Sequence, residues 1–139
     1  MTSLSAKSEY AIKALVCLAL APTEEPVLGR EIVAFADVPP KYLDQVMHDL
    51  RRSGFVESRR GARGGYVLLR DPASITFLEV AETIDGSCGG KGRMRPHDQA
   101  EVLVAPVWDE LEECRRTILQ TATIARAAAR AVVEPMYHI

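Results

Sequence analysis

Apolar residues fall three and four positions apart over Lys7 to Ala21, where Ala11, Ala14, Leu15 and Leu18 make one face of a helix that Pro22 ends. Pro22 to Pro26 reads as a surface turn. A shorter helical pattern spans Val27 to Phe35 with Ile32 and Phe35 apolar, and Asp37-Val38-Pro39-Pro40 cannot continue it. Pro40 suits the first position of a third helix, in which Leu43, Val46, Met47 and Leu50 line one face until Ser53-Gly54. Its other face carries Lys41, Asp44, Gln45, His48, Arg51 and Arg52. A helix that packs on a core with one side and reads base edges in the major groove with the other has this pattern. So has an ordinary surface helix.

Phe55 to Arg59 and Tyr66 to Arg70 read as two short strands, and the glycines of Arg60-Gly61-Ala62-Arg63-Gly64-Gly65 allow the positive φ angles of a hairpin tip. Arg59, Arg60 and Arg63 crowd that tip. Helix, turn, helix and basic hairpin, in this order, describe a winged helix-turn-helix whose wing follows phosphates or enters the minor groove. Asp71-Pro72-Ala73-Ser74 closes the wing, and Thr76-Phe77-Leu78-Glu79 is a capping box that starts a helix through Ile84, ended by Gly86. Ser87 to Pro96 has no apolar periodicity and reads as a mobile loop.

From Asp98 to about Val133 one long helix is expected, bent or interrupted near Pro106. Val104, Trp108, Leu111, Cys114, Ile118, Ala122, Ala125 and Ala129 form a stripe along it. A small N-terminal domain offers too little surface to cover such a helix, so the stripe is expected to cross its counterpart in a two-fold homodimer, with packing on its own domain as the other reading. The fold class is therefore mainly α with a small β-hairpin wing. The expected parts are a winged helix-turn-helix domain over 1–85, a sensor-type loop over 86–97, and a long dimerisation helix with a C-terminal tail over 98–139.

Composition sharpens this picture at three points. The chain has 139 residues, 47% hydrophobic and 26% charged, which excludes a disordered or collagenous protein. Its longest apolar run, Ala14 to Ala21, is far shorter than a membrane-spanning helix, and no signal pattern opens the sequence, so the protein reads as cytoplasmic. Net charge is only −2, yet Lys41 to Arg70 holds seven basic against three acidic residues, net +4, leaving −6 on the rest. One basic segment in an acidic chain fits a local polyanion contact, and a solvated basic face would look similar.

Ser8-Glu9-Tyr10-Ala11, Tyr42-Leu43-Asp44-Gln45, Ser58-Arg59-Arg60-Gly61 and Gly64-Gly65-Tyr66-Val67-Leu68, in this order and spacing, resemble the Rrf family of bacterial winged-helix transcription regulators. The resemblance extends through Ile75-Thr76, the cysteine-bearing loop and the helix with Trp108, nearly the whole chain. It implies a homodimer with crossed long helices and two heads bound to double-stranded DNA. Matching the family's recognition helix points to Pro40, Lys41, Tyr42, Asp44 and Gln45 as contacts, and matching its wing points to Arg59, Arg60, Gly61, Arg63, Gly64 and Gly65. From chemistry alone, Gln45 can bond adenine bidentately, Asp44 can accept from a cytosine amine, and the arginines can hold phosphates or a narrow minor groove. His48 and Arg51 complete the exposed face.

The sequence leaves the sensor open. Cluster-binding members of the family carry three cysteines in the loop, because thiolates hold iron–sulphur clusters. Here Cys88 stands alone, with Cys114 on the apolar stripe and Cys17 in the first helix. Some members replace thiolates with carboxylate or histidine, which the resemblance maps onto Glu9, while His97 follows Cys88 closely enough to join it. An iron–sulphur cluster with non-cysteine ligands therefore stands beside a redox thiol at Cys88, favoured by Lys91, Arg93 and Arg95, and beside another signal altogether. Catalysis is not expected, since the tip glycines sit between strands and no histidine–carboxylate pair is spaced to activate Cys88. The expected function is a DNA-binding transcription regulator, a repressor acting on an inverted repeat. A winged-helix adaptor that docks other proteins is the alternative.

Overall fold

The computed structural model describes residues 4–22, 25–61, 64–86 and 98–133. The N-terminal helix α1 (Ala6–Leu20) is capped by the Ser5 hydroxyl, which accepts from the Ser8 amide at 3.0 Å. Its buried face, Ala11, Ile12, Ala14, Leu15 and Leu18, is the axis of the core. Helix α2 (Gly29–Ala36) buries Ile32 but leaves Phe35 45% exposed, so the second residue of the expected apolar pair faces solvent. Asp37 ends α2 in the left-handed region, at φ 51°. Helix α3 (Pro40–Arg52) begins with Pro40 in its first turn and buries Leu43, Val46, Met47 and Leu50.

Strands β1 (Val56–Arg59) and β2 (Gly65–Leu68) pair antiparallel, from Val56 opposite Leu68 to Arg59 opposite Gly65. A third backbone joins them. Val27 bridges Tyr66 through two hydrogen bonds, Val27 N to Tyr66 O at 2.9 Å and Tyr66 N to Val27 O at 2.8 Å, although the sequence pattern assigns Val27 to the start of α2. The approach is so close that a Cβ on Gly65 would overlap the Val27 carbonyl, and the φ of +150° also favours glycine. A 3-10 turn over Pro72–Ser74 follows, capped by the Asp71 carboxylate.

Helix α4 (Phe77–Asp85) starts at Thr76, whose hydroxyl accepts from Glu79 N at 3.1 Å. The Glu79 carboxylate does not close a capping box but takes both terminal guanidinium nitrogens of Arg70, at 2.6 and 3.1 Å. The bidentate pair fastens the end of the wing to α4.

The expected single helix over 98–133 is two helices, α5 (Gln99–Thr121) and α6 (Ile124–Val133). The chain runs helically through Pro106 and breaks instead at Ala122-Thr123. There it lies antiparallel to Ile75-Thr76-Phe77, with Phe77 N donating to Ala122 O at 2.9 Å and Ile124 N to Ile75 O at 3.0 Å. These two bonds satisfy backbone groups that the break frees from the helix ladder. Beyond the break Ile124 is fully buried with Ile75 in the common core, and α6 packs along α1. α5 buries no residue at all, and Arg116 ties it to Glu82 of α4 at 3.3 Å.

Candidate nucleic-acid interface

The apolar spacing of α3 sinks one side into the core and so dictates what the other side shows. Pro40, Lys41, Asp44, Gln45, His48 and Arg51 are all exposed, and Lys41, Asp44, Gln45 and His48 follow helical spacing on a single face. Tyr42 is half-buried against the core. Its ring stands 5.8 Å from that of Tyr10, tilted by 41°, and Lys41 Nζ lies 5.1 Å from its centroid. These two contacts tie Tyr42 to α1 and to the neighbouring Lys41.

The wing brings its own basic groups to the surface. Arg59, Arg60 and Gly61 are exposed, with Arg59 at the last rung of the ladder and Gly61 at φ +117° accepting from Gly64 N at 2.9 Å. Gly64 is buried, and a Cβ there would meet the Arg59 carbonyl at 2.6 Å, so this glycine shapes the tip from beneath and offers no surface contact. Gly65 is half-buried under the Val27 bridge. Arg63 lies outside the described residues. Arg70, one of the seven cations of the basic segment, is withdrawn from the surface role: Glu79 neutralises it and its guanidinium carbon sits 5.0 Å from the Phe55 ring centroid.

Of the three candidate sensor residues, Glu9 alone is among the described residues. Glu9 is half-buried on α1 and lines an apolar groove of about 370 Å³ with Leu4, Ile12, Val16, Phe35 and Leu119. Cys88 and His97, with Lys91, Arg93 and Arg95, fall outside the described residues. Cys17 is buried, and burial, with the Glu31 carboxylate adding to it, pushes its thiol up to about 11. A neutral, enclosed thiol is neither a ready nucleophile nor a ready metal ligand. Cys114 is exposed on α5. No three of the described His, Cys, Asp and Glu residues come together to hold a metal ion.

The large apolar members of the expected pairing stripe all lie on α5. Val104, Trp108, Leu111 and Ile118 are 42–66% exposed, and Cys114 is exposed beside them. Ala122 lies in the joint and Ala125 on α6, both half-buried, and Ala129 further along α6 is exposed. Val102, Leu103 and Val107 are also exposed on α5, and the apolar surface is broader than the stripe read from the sequence. The four-residue steps Leu103, Val107, Leu111 already marked that second row.

A family model described as Rrf2, iron-dependent transcriptional regulator, matches residues 4–130. An HTH-type transcriptional regulator of Mycobacterium tuberculosis, Rv1287, is 33% identical over 136 residues, covering 94% of this chain and 84% of that one. The HTH-type transcriptional regulator IscR of Klebsiella pneumoniae is 33% identical over 126 residues, covering 87% and 76%. Among solved structures, CymR, the global cysteine regulator of B. subtilis, superposes with a TM-score of 0.79 at 26% identity, covering 94% of this chain and 98% of that one. T. potens IscR gives 0.73 at 25% identity, covering 99% and 93%. These relatives are regulators and not enzymes, and no described helix is long and apolar enough to cross a membrane. The chain belongs to the Rrf2 family of winged-helix transcription regulators.

Proposed function

We propose that the protein is a cytoplasmic, homodimeric repressor that reads an inverted repeat, each α3 entering a major groove and each wing following the adjacent backbone. The observation that carries this reading is the division of α3: a wholly apolar face locked in the core and an opposite face of Lys41, Asp44, Gln45, His48 and Arg51 open to solvent, in a chain whose wing arginines Arg59 and Arg60 are exposed too. Amide and carboxylate side chains at Gln45 and Asp44 supply base discrimination, and the arginines supply charge. The bare apolar surface of α5 supports pairing with a second copy.

Affinity for a duplex selected by the protein from a random-sequence pool is expected to fall steeply with salt. The Arg59→Ala and Arg60→Ala double variant should flatten the slope of log affinity against log salt by about two, one for each phosphate no longer neutralised. Fluorescence anisotropy titrations across a salt series check this. Salt-insensitive or absent duplex binding favours a protein-docking adaptor instead.

The signal is proposed to enter through 86–97, by oxidation of Cys88 or by a cluster that Cys88 helps to hold with Glu9 and His97. Cys88→Ala is expected to keep the DNA affinity of the reduced, metal-free protein while abolishing its response to oxidant and to cluster loss. Anisotropy before and after oxidant treatment, on protein prepared without oxygen, measures both. A response that survives the substitution removes Cys88 from sensing.

A further inference from the structure

The first two turns of α1 join the end of α4 to α3 through side chains. On one side, Asp85, the last residue of α4, accepts from two hydroxyls at once: Ser5 Oγ at 2.6 Å on Oδ1 and Ser8 Oγ at 2.6 Å on Oδ2. Ser8 is completely buried, so its hydroxyl has no water to fall back on if Asp85 moves away. On the other side, the same two turns hold α3 at two points. Lys7 Nζ pairs with Asp49 at 2.7 Å, and Tyr10 packs on Tyr42. Tyr42 and Asp49 are seven residues apart, two helical turns, which is about 10 Å along the helix axis. Lys7 and Tyr10 are three apart and therefore share one side of α1.

We propose that the start of α1 is a rocker that sets the seat of α3 according to the position of Asp85. Two short hydrogen bonds to one carboxylate fix α1 relative to the end of α4, and two separated contacts fix both the height and the tilt of α3 relative to α1. Asp85 precedes Gly86, the last described residue before 87–97, so a displacement at that exit is passed to α3 through two side-chain links, Asp85 to Ser5 and Ser8 and then Lys7 and Tyr10 to Asp49 and Tyr42, joined by the α1 backbone. Neither contact to α3 removes a group from its exposed face, because Asp49 and Tyr42 are the half-buried members of the helix. The rocker therefore changes the placement of Gln45 and Asp44 without competing for them. This rests on α3 being the DNA-reading helix, but the coupling itself is measurable without DNA.

Hydrogen exchange followed by mass spectrometry on the whole chain is the test, comparing peptides from α1, from α3 and from the hairpin. Asp85→Ala is expected to speed exchange several-fold both at the start of α1 and across α3, while the hairpin keeps its rate. Asp85→Asn, which retains one acceptor oxygen, should give a smaller change with the same distribution. In a Lys7→Met, Tyr10→Leu background, Asp85→Ala should still loosen α1 but no longer alter α3. Faster exchange in α1 alone in the otherwise native chain overturns the proposal. So does an equal rise in α3 and the hairpin, which is general loosening of the fold, or an α3 effect that persists in the Lys7→Met, Tyr10→Leu background.

Discussion

Leu111→Asp combined with Ile118→Asp is expected to leave the chain folded, monomeric, and about 100-fold or more weaker on a duplex carrying both half-sites. The two side chains are 63% and 66% exposed, so the charges meet water in the single chain and cost its fold little. The paired state is different. Seven large apolar residues of α5, from Val102 to Ile118, stand open, and burying such area is favourable by roughly 25 cal/mol per Å². A carboxylate buried among the apolar side chains of a second copy is desolvated with no partner to compensate it. Losing the pair turns one bivalent binding event into two independent weak ones, which is the origin of the large factor. Sedimentation equilibrium and anisotropy on the same preparation separate the two effects. A variant that remains dimeric places the pairing surface elsewhere than α5.

Ile124→Ala is expected to lower the unfolding free energy by about 2–5 kcal/mol, the range for truncating a fully enclosed aliphatic side chain that leaves a cavity. Ile124 is 0% exposed, opens α6, and sits beside Ile75, itself 0% exposed, with which it shares a backbone hydrogen bond. Its loss should free α6 from α1 before the rest of the head unfolds. Leu103→Ala on α5, at 74% exposure, serves as the comparison and should shift the single chain by less than about 0.5 kcal/mol. Urea unfolding followed by circular dichroism measures both. Equal shifts would mean that α6 is not anchored by this residue.

The head was legible because its signals are local. Leu43, Val46, Met47 and Leu50 stand at helical spacing, Pro40 starts their helix, and Gly54 follows its end; the structure keeps each of these. The break at Ala122-Thr123 was not legible, since no glycine or proline marks it. It is made by two hydrogen bonds to Ile75 and Phe77, nearly fifty residues earlier, and a one-dimensional pattern holds no trace of that pairing. Pro106 misled for the converse reason: α5 runs helically through it in spite of the missing amide. Val27 was hidden because a single bridging residue is too short to alternate. In the candidate interface, residue type announced Lys41, Gln45 and the tip arginines, but only the fold separates Arg59 at the surface from Arg70 held by Glu79. Charge counts treat the two alike.

The joint between α5 and α6 bears on how strictly an operator can be spaced. Were the chain one unbroken helix to Val133, each head would hang from a strut by its other end alone and could swing. The pairing of Ala122 to Ile124 with Ile75 to Phe77, together with Arg116 on Glu82, fastens the strut to its own head near its far end. In the proposed homodimer, two heads carried on such struts would keep a fixed distance and a fixed angle. Adding one base pair between half-sites moves them by about 3.4 Å and turns them by roughly 35° about the duplex, a mismatch that rigid heads cannot absorb. On that reading, tolerance to operator length would be set at Thr123, in the joint between α5 and α6 and not on α3 or the wing.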